Sequence, residues 1–136
     1  MKAKDEARAA LTAAREAYLK DMKWLRSRYG IIPEPEPHLV KGLLQTALAA
    51  LEKDDLPALR QAAQSFDTFH KDILARVTWE LLEQTKRSLK ALRETEPELF
   101  EEKLKLWNAA SWAFTTARFR RVTEKYREAI RTVTKV

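Results

Sequence analysis

Long runs of helix-forming sequence fill this chain, and only three short stretches interrupt them. The interruptions are IIPEPEP at residues 31–37, DDLP at 54–57 and RETEPE at 93–98. Proline lacks the amide hydrogen that a helix interior needs and disfavours helical backbone at the residue before it, so these stretches mark boundaries between helices. The 136 residues include only two glycines. The sequence therefore predicts an all-α protein, a helical bundle of three to four long helices with a helical arm at its N-terminus.

The N-terminal part of the chain is predicted to form one helix over residues 4–29, because apolar residues from Ala7 to Tyr29 recur three and four positions apart. Gly30 follows directly and suits a left-handed C-terminal cap. The alternating prolines and glutamates after it predict an extended, stiff linker. The predicted organisation is a basic helical arm at residues 1–30, a Pro-Glu linker at 31–37 and a helical bundle at 38–136.

Within the bundle the pattern predicts three helices, over residues 38–53, 56–93 and 96–134. Asp55 is the predicted N-cap of the second helix, and Thr95 with Glu98 forms the S/T-x-x-E capping box predicted to start the third. The apolar stripe of the 56–93 helix rotates along its length. That rotation predicts a bend or a break between Phe66 and Thr78.

Positive charge is concentrated at the two ends of the chain. The net charge is +6, and residues 1–29 carry eight Lys and Arg against four Asp and Glu. Residues 30–96 carry nine against eleven, and residues 97–136 carry nine against five. This asymmetry favours an anionic partner, either nucleic acid or a membrane surface. The alternative is that the charge only keeps the protein soluble.

The cations fall on defined helix faces. At 100° per residue, one flank of the first helix carries Lys4, Arg8, Arg15, Lys23 and Arg26. In the last helix, Arg121 continues the seven-residue spacing of Phe100, Trp107 and Phe114. The other cations in the second half of that helix are Arg118, Arg120, Lys125, Arg127 and Arg131. Helix macrodipoles favour cations only in the last turn, and Arg118 lies about four turns before the predicted end. Cations interleaved with aromatic residues are typical of binding to phosphate backbones, so these eleven residues are the predicted nucleic-acid contacts.

Two aromatic ridges also follow the last helix. Phe100, Trp107 and Phe114 form one, and Trp112, Phe119 and Tyr126 form the other. Each ridge can pack in the core or contact another chain, since aromatic residues anchor interfaces. Core packing is favoured for Trp107 and Phe114, and an interface for Phe119 and Tyr126. The candidates for a subunit interface are Trp107, Trp112, Phe119 and Tyr126.

Enzyme signatures do not occur in the sequence. It has no Gly-rich phosphate loop, no G-x-S-x-G and no H-E-x-x-H, and it contains no cysteine. His38 and His70 are 32 positions apart, and a structural role is predicted for both. We therefore expect a non-enzymatic protein with no catalytic residue, no metal, no cofactor and no small-molecule substrate. The longest apolar stretch, residues 43–51, is too short to span a bilayer, and the charged start of the chain is not a secretory signal.

Two short segments resemble known families. Tyr29-Gly30-Ile31 with Pro33, followed by Pro57-Ala58-Leu59, resembles the junction and a later helix start in the major coat proteins of filamentous and rod-shaped archaeal DNA viruses. That resemblance implies basic helices that wrap double-stranded DNA, coat subunits that stack on one another into a filament, and a place in the virion. GLLQTALAAL at residues 42–51 resembles the helical small subunits of type III CRISPR effector complexes, which line up along nucleic acid in the cytoplasm.

The sequence thus predicts a structural protein that contacts nucleic acid without sequence specificity and assembles with itself or with a paralogous coat subunit. A filamentous virus capsid protein is the leading hypothesis, with double-stranded DNA as the favoured partner. The alternatives are a small subunit of a type III CRISPR ribonucleoprotein complex and a helical adaptor that binds only protein.

Overall fold

The computed structural model describes residues 2–33 and 37–136, and those residues form five α-helices and no strand. The helices are α1 (Lys2–Tyr29), α2 (Pro37–Lys53), α3 (Leu56–Thr95), α4 (Pro97–Arg120) and α5 (Thr123–Val133). The predicted all-α class is confirmed. Residues 34–36 of the predicted linker and the side chain of His38 lie outside the described part. None of the described helices combines the length and apolar character that crossing a membrane requires.

The contacts of the chain divide it into two compact units, Met1–His70 and Lys71–Val136, which we call the N-terminal and C-terminal units. The division falls inside α3, which is one uninterrupted helix. The helix is therefore not broken between Phe66 and Thr78. The division into arm, linker and bundle remains a prediction. Helix α1 packs within the N-terminal unit.

Helix α1 packs through the apolar stripe that its spacing predicts. The ring of Tyr18 lies 6.1 Å from that of Phe66 and 5.7 Å from that of Phe69, measured between centroids. The helix ends as predicted, with Gly30 at a φ of 66°, a conformation that glycine adopts without steric cost. The buried apolar residues of the unit are Ala7, Leu11, Tyr18, Leu25, Ala47, Ala50, Leu59, Ala62 and Phe66.

One of the two predicted N-caps is confirmed and the other is wrong. The amide of Ala58 donates to Asp55 Oδ2 at 3.3 Å, so Asp55 caps α3 as predicted. Thr95 is the last residue of α3, and its hydroxyl donates to the carbonyl of Ala91 at 3.1 Å. A threonine hydroxyl can satisfy itself on the carbonyl four residues earlier, and here it does so instead of capping α4.

The prediction of one helix over residues 96–134 is wrong. Helix α4 ends at Arg120, Arg121 adopts the left-handed conformation with φ 56° and ψ 45°, and α5 begins at Thr123. The amides of Arg121 and Val122 both donate to the carbonyl of Ala117. This cap turns the chain, and α5 packs against α4.

Burial of the apolar side of α5 explains why the chain turns at this point. Tyr126, Ile130 and Val133 are spaced four and three residues apart and are all buried. Burying side chains of this size contributes about 1.5–3 kcal/mol each. A single left-handed residue costs about 1–2 kcal/mol, so the packing of α5 outweighs the strain at Arg121.

Candidate nucleic-acid interface

The predicted basic flank of α1 includes one residue with a clear structural partner. Arg8 Nη1 donates to Asp54 Oδ1 at 3.0 Å and to the carbonyl of Leu51 at 3.1 Å. Asp54 has a positive φ of 50° and lies directly after α2. Arg8 therefore satisfies the C-terminal end of α2, where cations are favoured by the helix dipole.

The other cations of that flank do not gather into one site. Lys23 and Arg26 line a cavity of about 360 Å³ in the N-terminal unit, together with apolar residues of α1 and of the segment after it. Lys4 is half-buried and Arg15 is exposed, and both lie on earlier turns of α1. The prediction of a continuous phosphate-binding edge on α1 stays a prediction.

Helix α5 neutralises most of its own positive charge. Lys125 Nζ lies 2.9 Å from Glu128 Oε2, and Arg127 and Arg131 both lie 3.1 Å from Glu124. Hydrogen bonds from Arg131 and then Arg127 hold the pKa of the Glu124 carboxyl below its usual range. These pairs are largely exposed and contribute little stability, but they offset the charge of three predicted contact residues.

Three arginines converge instead on a cavity of about 460 Å³ in the C-terminal unit, which we call the cationic cavity. Its walls come from the part of α3 after residue 70, from the end of α4, from the α4–α5 turn and from α5. The lining residues are Lys71, Asp72, Ala75, Arg76, Trp79, Phe114, Arg118, Arg121 and Tyr126. The volume is within the range of about 300–1,000 Å³ that ligand sites usually have.

The charges of the cationic cavity are poorly balanced. Arg76, Arg118 and Arg121 are exposed, and none of them forms an ion pair with a residue in the described part of the chain. Asp72 is the one acidic side chain among the lining residues. Unpaired guanidinium groups around a recess attract anions and can bind phosphate oxygens in bidentate fashion.

Aromatic rings form the apolar wall of the cavity. The centroid of the Phe114 ring is 6.1 Å from that of Trp79 and 6.2 Å from that of Tyr126. The Arg118 guanidinium lies 5.7 Å from the centroid of the Phe114 ring. Burial raises the pKa of the Tyr126 phenol, while the charges of Arg118 and Arg121 oppose that rise and Asp72 adds to it. The phenol therefore stays neutral at pH 7, next to the arginines.

The strained conformation of Arg121 places its side chain at this cavity, and we expect glycine there to stabilise the fold. Glycine adopts positive φ freely, so Arg121→Gly should raise the free energy of unfolding by about 0.5–1 kcal/mol. Urea denaturation measures the change. The matched control is Arg120→Gly, which removes the same charge one residue earlier, at the last residue of α4, where φ is not positive. Glycine relieves no strain there and should lower the free energy of unfolding, by at most about 0.5–1 kcal/mol. Equal effects of the two variants would contradict the assigned strain.

A second recess in the C-terminal unit adjoins the cationic cavity. This aromatic groove has a volume of about 530 Å³ and shares Trp79, Phe114 and Arg118 with its neighbour. Its further lining residues are Leu82, Glu83, Lys86, Trp107, Ser111, Thr115 and Phe119. The two recesses therefore adjoin at the three residues that they share, and together we call them the trough, with a cationic end and an aromatic end.

The four predicted interface aromatics divide into two packed and two exposed residues. Trp107 is half-buried and its indole N–H donates to the carbonyl of Leu82 at 2.9 Å, while Tyr126 is only 4% exposed. Both residues therefore take part in the packing of the C-terminal unit. Tyr126 does so because the turn at Arg121 folds α5 back against α4. Trp112 is 75% exposed and Phe119 is 90% exposed, seven residues apart on α4.

Sequence reasoning missed the residues that α3 contributes. Asp72, Arg76 and Trp79 are spaced four and three residues apart, so they share one face of α3. That spacing is visible in the sequence. The sequence does not show that this face of α3 lies near Arg118 and Arg121, since about 40 positions separate the two segments.

Comparison of the chain with protein-family models, with curated proteins and with solved structures gave no match. Among the described residues, no three His, Cys, Asp or Glu side chains lie together in a way that could hold a metal ion. The chemistry of the trough itself is therefore the basis on which a function can be inferred.

Proposed function

We propose that this chain is a non-enzymatic, structural protein that binds the backbone of nucleic acid through its cationic cavity. The observation that carries the proposal is the convergence of Arg76, Arg118 and Arg121 on one recess without an acidic ion-pair partner among the described residues. Phosphate groups match this arrangement, because each guanidinium presents two parallel donors to two phosphate oxygens. Contacts of this kind carry no base identity, so the binding is independent of sequence.

Assembly along the nucleic acid is the second part of the proposal. Trp112 and Phe119 expose large apolar surfaces on α4, and aromatic residues, Trp above all, are enriched among those that anchor contacts between chains. We propose that subunits contact one another there while each holds a segment of the backbone. Subunits that contact one another and hold the backbone would be consistent with a coat protein of the virion, as the resemblance to archaeal virus coat proteins implies. It also fits a small subunit of a type III CRISPR complex.

A protein adaptor without nucleic acid is the competing proposal from a different class. The exposure of Trp112 and Phe119 supports it equally well, since both residues are suited to a protein partner. The two proposals differ in what the arginines do. An adaptor has no need for three unpaired arginines around a recess, and that difference favours nucleic acid.

A salt titration tests the proposal. We expect the affinity of the protein for a fluorescein-labelled oligonucleotide, followed by anisotropy, to fall steeply between 50 and 200 mM NaCl. Each neutralised phosphate releases counterions, so three contacts alone should reduce the affinity by about one order of magnitude over that range. Binding that is insensitive to salt, or no binding at 50 mM, would contradict a phosphate-binding role and favour the adaptor.

A further inference from the structure

The trough in the C-terminal unit combines two chemically different recesses, and Trp79 lines both of them. The cationic end carries Arg76 and Arg121, and the aromatic end carries Trp107 and Phe119. Trp79 belongs to both recesses and is 52% exposed. A ligand that fills the whole trough must therefore be anionic at one end and flat and apolar at the other.

A nucleotide has these two chemical parts, a phosphate and a planar base. Bases stack on aromatic side chains through their faces, and the exposed surface of Trp79 provides such a platform beside the arginines. The aromatic groove also contains Glu83, Lys86, Ser111 and Thr115, whose polar groups can contact the edges of a base. The arginines at the other end suit the attached phosphate.

Stacking on a protein side chain requires a base that is not already stacked in a duplex. In double-stranded nucleic acid the base faces are covered by their neighbours, and a protein reaches only base edges in the grooves. A duplex could place phosphates against Arg76, Arg118 and Arg121 but could not fill the aromatic groove. A single strand can do both.

From this arrangement we infer that the trough holds one unstacked nucleotide of a single-stranded nucleic acid, with the phosphate in the cationic cavity and the base against Trp79. The inference rests on the proposed function and narrows it, because it selects single strands over the double-stranded DNA that the virus resemblance implies. It also assigns to Trp79 a binding role that the sequence did not indicate.

The test compares labelled dT15 with the dT15·dA15 duplex at one salt concentration, by anisotropy and by tryptophan fluorescence. We expect dT15 to bind at least ten times more tightly and to quench the fluorescence. In Trp79→Phe the quenching should decrease to the part that Trp107 of the aromatic groove contributes, and the affinity for dT15 should fall several-fold, while binding of the duplex changes little. The matched control is Trp112→Phe, since Trp112 lines neither recess and its loss should leave the quenching intact.

The remaining outcomes separate this inference from the proposed function. Equal binding of single strand and duplex, or quenching as strong in Trp79→Phe as in the unchanged protein, would overturn the inference while phosphate binding still stood. Tighter binding of the duplex would overturn it as well. If neither oligonucleotide bound at 50 mM NaCl, the proposed function itself would be wrong.

Discussion

Replacing Arg76, Arg118 and Arg121 together with glutamine is expected to weaken the binding of a single-stranded oligonucleotide about 100-fold at 0.1 M NaCl. Counterion release contributes about 0.7 logarithmic units of affinity per phosphate for each tenfold reduction in salt below 1 M. Three lost contacts therefore correspond to about two logarithmic units at 0.1 M. Anisotropy titrations with labelled dT15 measure the loss, and circular dichroism verifies that the variant is folded.

The matched control changes the same net charge elsewhere in the C-terminal unit. Arg87, Lys90 and Arg93 are exposed on α3 and line neither recess. Replacing these three with glutamine should weaken binding only a few-fold, because charges beyond the Debye length of about 10 Å are largely screened at 0.1 M salt. If both triple variants lost affinity equally, binding would depend on overall charge, and the cationic cavity would not be the site.

A stability effect of similar size is expected in the N-terminal unit, where Asp21 and His70 form a buried pair. The Oδ2 atom of Asp21 lies 2.6 Å from Nε2 of His70, and the two side chains are 5% and 3% exposed. The ring of Tyr18 packs edge-on against the imidazole, with 6.1 Å between the centroids. Asp21→Ala should lower the free energy of unfolding by about 1–3 kcal/mol, because it leaves a buried polar ring without its partner.

Urea denaturation of Asp21→Ala, of His70→Ala and of the double variant measures this coupling. The double variant should cost less than the sum of the two single variants, since in it neither member of the pair is left buried without the other. Glu16→Ala, an exposed carboxylate on the same helix, is the control and should change stability by no more than about 0.5 kcal/mol. A cost below about 1 kcal/mol for Asp21→Ala would mean that the pair does not stabilise the fold.

The helices of the N-terminal unit follow closely from local sequence. The spacing of Ala7, Leu11, Tyr18 and Leu25 identifies the buried stripe of α1, and Gly30 marks its end, because a left-handed cap favours glycine. His70 was predicted to have a structural role, and it is buried. Its pairing with Asp21 could not be predicted, since 49 positions separate the two residues and tertiary packing alone brings them together.

The boundary between α4 and α5 could not be predicted for a different reason. Neither glycine nor proline occurs between Glu98 and Val136, so no residue marks the left-handed position that Arg121 occupies. The prediction continued the helix and its register beyond Arg121, and that continuation is wrong. The turn separates Phe119, which stays exposed, from Tyr126, which packs beside Phe114.

The same turn explains how the candidate site came to differ from the predicted one. Of the eleven predicted contacts, Arg118 and Arg121 line the cationic cavity, whereas Lys125, Arg127 and Arg131 pair with carboxylates on α5. Helix periodicity identifies which cations share a face, but it carries no information on which other helix faces them. Arg76 and Trp79 of α3 also line the trough, and helix periodicity could not identify them as neighbours of Arg118 and Arg121.

The strain at Arg121 is consistent with a binding role for that residue. Strained backbone is found disproportionately at ligand sites, because the surrounding fold holds the side chain where the ligand needs it. We therefore expect Arg121→Gly to gain stability and to lose affinity for oligonucleotides. Glycine at this position would relieve the backbone and remove one of the three converging guanidinium groups.

The salt dependence of binding tests the central claim most directly. In a plot of the logarithm of the affinity for dT15 against the logarithm of the NaCl concentration, the slope reports how many phosphates the protein neutralises. We predict that the slope becomes shallower by about two when Arg76, Arg118 and Arg121 are replaced with glutamine, and that it is unchanged in the Arg87, Lys90 and Arg93 control. An unchanged slope in the first variant would contradict phosphate binding by the cationic cavity.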